Sequence, residues 1–190
     1  VGAAVVNALS EYVEVTVYRE GKIYFQRYEN GGERVSELEV KGDTKQTGTK
    51  VRFKPDATIF DTVDFSYDTI AERLRESAFL LPKLKIQLID DRSEQRDTYY
   101  YEDGLIAFID YLNEGKDGLH DILSFRGKVD GIEVDFAFQF TNSYVENMHS
   151  FVNQVRTKDG GTHEVGARTA ITRTFNDYAR KNNLLKEKDK

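Results

Sequence analysis

Between Glu11 and Tyr28 the side chains alternate with a period of two on both sides of a short break. Val13, Val15 and Val17 fall on one face of the first run, and Lys22–Tyr28 supplies the second. Only an extended strand puts every second side chain on one face, so this stretch cannot be a helix. Glu20-Gly21, between the runs, has the composition of a tight hairpin turn. A β-hairpin is therefore the element around which the first part of the chain must be built. Residues 2–10 read as the end of a helix closed by Ser10. After the hairpin, Asn30-Gly31-Gly32 makes a second turn into a strand over Val35–Val40. Gly42–Thr49 reads as a polar loop, and Val51-Arg-Phe53 begins a further strand. Four sequential strands predict an antiparallel meander.

The period then changes. Asp68–Leu81 has helical spacing, with Ile70, Leu74 and Ala78 along one stripe and Ser66 or Asp68 as the expected cap. Pro82 fits the helix end. Leu84–Leu88 alternates as a strand and is expected to pair with Thr98–Tyr101 across a polar turn. Glu102-Asp-Gly104 reads as a joint. A short helix follows, carrying Ile106, Ile109 and Leu112. A strand pair covers Ile122–Gly127 and Gly131–Phe140, and another strand covers Met148–Val155. Glu164–Lys181 reads as a long helix with Ala167, Ile171, Phe175 and Tyr178 on its apolar stripe. The order predicts an α+β fold in two domains, 1–101 and 102–190.

Hydrophobic residues make up 39% of the chain and charged residues 32%, the balance of a globular protein rather than a disordered one. No apolar run approaches the roughly 20 residues that a membrane span needs. With no cysteine there is no thiolate nucleophile, disulfide or zinc–cysteine site, which fits a cytoplasmic location. The apolar start, Val1–Leu9, is short and lacks a basic flank, so it does not read as a signal peptide. The chain opens without an initiator Met, inside an expected helix, and closes on Lys186-Glu-Lys-Asp-Lys190, so a segment of a longer protein is expected. Charge is uneven. Residues 151–190 hold nine Lys/Arg against five Asp/Glu, although the whole chain carries −6. Such asymmetry fits a polyanionic partner for the basic part, and equally a helix with a solvated basic face.

Few residues look like chemistry. His120, His149 and His163 are far apart in sequence and form no His-x-x-x-His or Glu-x-x-His pattern, so no metal site is expected. They read as surface or hydrogen-bonded structural histidines. Gln46-Thr-Gly-Thr49 offers a hydroxyl beside a glycine at a strand start, which is either a ligand contact or a tight turn. Lys158-Asp-Gly-Gly-Thr-His163 joins a strand to a helix. Glycines before free helix amides suit an anion, and Thr162 is a candidate cap. The loop is neither a P-loop nor a dinucleotide fingerprint, and Gly160-Gly161 would serve a plain chain reversal equally well.

Several segments in series resemble the ATPase subunits of bacterial type II DNA topoisomerases. Val1-Gly-Ala-Ala-Val-Val-Asn-Ala-Leu-Ser10 resembles the helix after that family's glycine-rich ATP lid. Thr47-Gly-Thr-Lys-Val-Arg-Phe-Lys-Pro-Asp56 resembles its adenine-side strand, and Arg73-Leu-Arg-Glu-Ser-Ala-Phe-Leu80 its domain-closing helix. Ser150–Glu164, with Asn176-Asp-Tyr178, resembles its transducer, and Arg156-Thr-Lys158 looks more like the topoisomerase IV branch than gyrase.

The resemblance implies the C-terminal part of a Bergerat (GHKL) ATP-binding domain followed by a truncated ribosomal-S5-like transducer. It implies an intact subunit that uses ATP and Mg2+, pairs with a second copy, joins a DNA-cleaving partner subunit and passes one DNA duplex through another. Gly2 and Ala3 would stand near the phosphates, Thr49 and Val51 beside adenine, and Arg19 at the pocket mouth that inhibitors reach. Lys158, with Arg156 and Arg168, would face DNA. Many family members have Arg where Lys158 stands, so the charge is kept but a bidentate phosphate contact is not. The family's general-base Glu, its magnesium-binding Asn, its adenine-reading Asp and its Gln-Thr-Lys loop have no counterpart here. No catalytic residue is therefore expected in this segment, nor tight ATP binding by it alone. A non-enzymatic transducer or dimerisation module, and a clamp ATPase of the mismatch-repair type, are the alternatives.

Overall fold

The computed structural model describes residues 2–185. Val1 of the lid-helix segment and the closing Lys186–Lys190 run lie outside the described residues. The fold is mixed helix and antiparallel sheet, as expected. Contacts cluster into two units, Val1–Ser66 and Tyr67–Lys190.

In the first unit helix α1 (Gly2–Ala8) leads into a sheet of β1 (Ser10–Arg19), β2 (Lys22–Glu29), β3 (Glu33–Arg34), β4 (Glu39–Asp43) and β5 (Gly48–Pro55). The β1–β2 hairpin turns at Glu20 and Gly21, both at positive φ (52° and 77°). The meander does not form. The sheet order is β3-β2-β1-β5, with β4 also on β2. β5 crosses over and pairs with the other side of β1, because the first hairpin leaves both of its outer edges open and the loop before Gly48 is long enough to reach the far one. Most of the expected Val35–Val40 strand is loop: β3 precedes it, and β4 takes in only its last two residues before running on into the expected loop to Asp43.

In the second unit α2 (Tyr67–Leu80) packs on the hairpin of β6 (Ile86–Asp90) and β7 (Gln95–Tyr99). Its buried positions are Ala71, Ala78 and Phe79, so the core stripe is rotated from Ile70. Phe79 is the anchor. Its ring stacks on Tyr101 at 3.8 Å and on Phe108 at 4.9 Å. Phe108 lies on α3 (Leu105–Leu112) and is that helix's buried residue in place of the expected Ile106, which is exposed. Gly104, just before α3, sits at φ 53°, ψ −116°, and a Cβ there would lie 2.8 Å from Pro82 Cγ. β8 (Leu123–Val129) and β9 (Ile132–Phe138) form a hairpin turning on Asp130-Gly131, both at positive φ. The expected single strand over Met148–Val155 is instead a small hairpin, β10 (Phe151–Val152) and β11 (Val155–Arg156), turning at Asn153 and Gln154 with φ 48° and 65°. Helix α4 runs over Thr162–Lys181. Its apolar stripe is largely exposed, although the Phe175 ring meets Phe140 edge-on at 5.8 Å.

Candidate functional site

Residues opposite one another in an antiparallel pair share a face of the sheet. In the first unit the register pairs Val17 with Thr49 and with Tyr24, Val15 with Val51 and with Gln26, and Val13 with Phe53 and with Tyr28. Arg19, two residues beyond Val17, continues the same face. Three of the expected nucleotide-side residues, Arg19, Thr49 and Val51, therefore stand on one face of adjacent strands. Val13 is buried, but Val51 is 56% exposed and Thr49 is open to solvent. The Tyr28 hydroxyl donates to Gln26 Oε1 at 2.8 Å, and Gln26 Nε2 donates to the Ser36 carbonyl at 3.3 Å, which fixes the polar groups beside Val15. The Arg19 guanidinium is solvent-facing, with Nε 3.0 Å from Glu20.

The opposite face of this sheet is a charged ladder. Glu14 pairs with Arg27 at 2.5 Å and with Arg52 at 3.7 Å, and Glu11 pairs with Lys54 at 2.6 Å. Arg27 and Arg52 both lie over the Tyr12 ring. Cross-strand pairs of this kind suit a solvated surface, leaving the Val-Thr-Val face as the one able to take an apolar planar ligand. Gly2 and Ala3 form the exposed first turn of α1, and a Cβ on Gly2 would meet no atom within 4 Å. The other end of that helix is fastened: Ser10 Oγ donates to the Val6 carbonyl at 2.6 Å, and the Asp56 amide to the Leu9 carbonyl at 3.1 Å.

In the second unit the segment before α4 is held by a compact polar network. The Thr157 amide and hydroxyl both donate to the Ser150 carbonyl, at 2.9 and 3.0 Å. The two hydroxyls lie 2.6 Å apart, and Thr157 Oγ1 shares a hydrogen bond with His163 Nε2 at 3.0 Å. Ser150 Oγ also donates to Glu164 at 3.2 Å. A Cβ on Gly161 would come within 2.7 Å of the His163 ring, so this glycine permits a close approach as well as a reversal. Thr162 is the first helical residue and makes no capping bond; Gly161 occupies the cap position. Glu164 brings a carboxylate into the first turn, so the helix start already faces an anion of its own chain. Spacing alone hides this network, since Ser150 and Glu164 meet only through the hairpin between them.

The expected DNA-facing residues separate. Arg168 is held by Glu146 and, at 3.2 Å, by Glu164. Arg156 Nη1 lies 3.7 Å from Glu76 on α2. Lys158 is exposed and has no ion pair among the described residues. His149 is half-buried, and its Nδ1 has no hydrogen-bond partner among the described residues. Burial, and then the nearby Arg156 cation, push its pKa down, against the pull of Glu76. Among the described residues no group of three or more His, Asp or Glu could hold a metal ion, and no helix is long and apolar enough to cross a membrane.

All 190 residues align, at 62% identity, with the B subunit of DNA topoisomerase 4 from Bacillus subtilis (strain 168). Over its whole length the chain is similar to B subunits of bacterial type II topoisomerases. The corresponding DNA topoisomerase 4 protein of Staphylococcus aureus is 59% identical over 193 residues. The chain spans about 29% of the length of each of these relatives. The DNA gyrase B family model matches residues 104–190. Among solved structures, the 43K ATPase domain of Thermus thermophilus gyrase B, in complex with an aminocoumarin, superposes with a TM-score of 0.85 at 38% identity. That match covers 99% of this chain and 52% of that one, and gives the fold: part of a GHKL ATPase domain with its transducer.

Proposed function

We propose that this chain acts as part of the ATP-hydrolysing subunit of a type II topoisomerase of the topoisomerase IV kind, relaxing and decatenating DNA by ATP-driven clamp closure. The carrying observation is the 62% identity to a topoisomerase 4 B subunit over every residue of the chain. On this reading its partners are duplex DNA, a second copy of the subunit and a DNA-cleaving subunit, and its location is cytoplasmic. The reading divides the chain into ATP-binding residues 1–101 and transducer residues 102–190. The start of the gyrase B match at residue 104 supports that boundary.

ATP and Mg2+ are the cofactors. The open face bearing Thr49 and Val51 fits the adenine side of a nucleotide, with Arg19 at its rim and Gly2 and Ala3 in the helix that follows the lid. The described residues supply no ligand cluster for Mg2+, so no step through the metal is assigned to this segment. What these residues contribute is shape and one hydroxyl: an apolar wall for the ring, and Thr49 to donate or accept a hydrogen bond at its edge. Lys158 supplies positive charge toward DNA.

The test uses a full-length protein carrying this segment, reconstituted with its cleaving partner. ATP-dependent decatenation is expected, and Lys158→Glu should lower it more than it lowers ATP binding. Failure to pass strands in the presence of ATP would refute the reading, and unchanged decatenation in Lys158→Glu would remove Lys158 from it.

A further inference from the structure

Arg156 and Lys158 lie two residues apart and are both basic, yet their surroundings are opposite. Arg156 is two-thirds buried, with its charge set against Glu76. Glu76 is the more enclosed partner, its side chain 16% exposed, and its second oxygen accepts from Arg73 at 3.3 Å. Lys158 is exposed and unpaired among the described residues. Between the two, Thr157 is fixed to Ser150 and His163, and the Gly160 amide returns to the Thr157 carbonyl at 3.0 Å. The backbone that presents Lys158 is therefore clamped from two directions: by the Thr157 network toward α4, and by Arg156 toward α2.

A cation already offset by an enclosed carboxylate releases few counterions on meeting a phosphate, and its removal leaves the carboxylate short of a partner. An exposed lysine on a fixed loop is in the reverse position. We propose that Arg156 is a positioning residue rather than a DNA contact: its pair with Glu76 seats the β10–β11 hairpin on α2 and so aims Lys158 at the phosphate backbone of duplex DNA. The proposal rests on the reading that Lys158 faces DNA.

Glu76 discriminates. If the basic residues acted only through their summed charge, removing a nearby acid would strengthen DNA binding. If Glu76 seats the hairpin, Glu76→Gln weakens binding although it removes a negative charge.

The experiment measures duplex affinity across a salt series for a full-length protein carrying this segment, in complex with its cleaving partner. Lys158→Gln should lower the slope of log affinity against log salt by about 0.9, the loss of one phosphate contact. Arg156→Gln should lower it by the same amount or less, and the double variant by no more than Lys158→Gln alone. Glu76→Gln should weaken binding as Arg156→Gln does. Arg156→Met, similar in length and uncharged, replaces Arg156→Gln if that variant does not fold. A double variant that loses about 1.8 in slope makes Arg156 a contact in its own right and overturns the proposal, as does tighter binding by Glu76→Gln. A slope unchanged by Lys158→Gln overturns the DNA reading of that lysine, and the proposal with it. A slope that falls in Lys158→Gln but falls additively in the double overturns the positioning role alone.

Discussion

Replacing Phe79 by Ala removes a side chain that is 1% exposed and sits among three rings. Tyr101, Phe108 and Tyr111 lie 3.8, 4.9 and 5.6 Å from it, centroid to centroid. A fully buried Phe cut back to Ala costs about 3–5 kcal/mol, as lost transfer energy plus a residual cavity. The ring pairs add about 0.5–1.5 kcal/mol each beyond the area they bury, which puts this site toward the upper end. The Tyr67–Lys190 unit is held chiefly by this cluster and the adjoining Ala71–Ala78–Tyr99 core, so a loss of about 4 kcal/mol should shift its unfolding strongly. Phe79→Leu keeps most of the apolar volume and should cost about 1–2 kcal/mol, mainly the ring contacts. Urea unfolding followed by tyrosine fluorescence suits a chain with 11 Tyr and no Trp. A Phe79→Ala loss below about 1 kcal/mol, or equal losses for Ala and Leu, would refute the assignment of Phe79 as the anchor.

Gly104→Ala forces a Cβ into a conformation that L-residues avoid and against Pro82, and should destabilise the protein by about 1–3 kcal/mol in the same assay. Asp90 is held down to about 2, first by its side-chain hydrogen bond from Arg92. Its contribution is thus present above the unfolded value of about 3.9 and lost as pH falls toward 2, and Arg92→Ala should raise the carboxyl only part of the way back in an NMR titration, because the backbone amides of residues 92 and 93 still donate to it. His149 is depressed in the fold, so its stability contribution is intact above the unfolded value of about 6.5 and lost as pH falls below it. His149→Phe should flatten the thermal midpoint between pH 7 and 5, and an unchanged pH dependence would remove His149 as its cause. The purified 190-residue chain should show no magnesium-dependent ATP turnover, and any inhibitor-sensitive hydrolysis by it would contradict the assignment of catalysis to residues outside it.

Local chemistry makes the hairpins legible. Glu20-Gly21 and Asp130-Gly131 turn as their composition requires, and the alternation of Val13, Val15 and Val17 sets the face that Thr49 and Val51 share. The sequence does not say which edge of that hairpin β5 joins, since either edge offers the same backbone donors and acceptors. Phe151-Val-Asn-Gln-Val155 reads as one strand because its apolar residues mask Asn153, a residue suited to positive φ in a two-residue turn. The basic residues mislead for a related reason. Composition gives the sign of Arg156 and Arg168, but Glu76 lies 80 positions before Arg156, and only the fold brings their charges together. The topoisomerase resemblance carries the site itself; the residues alone support a glycine turn and an exposed hydroxyl.

Strand β5 ends the sheet order, and among the described residues nothing pairs with its outer edge. A bare edge is a template on which another chain can add a strand, and natural sheets guard such edges with charge. Here Lys50, Arg52 and Lys54 recur at every second position of the strand that also carries Thr49 and Val51. Two copies approaching edge to edge would set these side chains against each other, with Arg52 and Lys54 partly offset by Glu14 and Glu11 and Lys50 carrying most of the repulsion. That guard depends on ionic strength, because screening shortens from about 10 Å at 0.1 M salt to about 3 Å at 1 M. Salt added to strip nucleic acid from a preparation would therefore also expose the chain to self-association through β5.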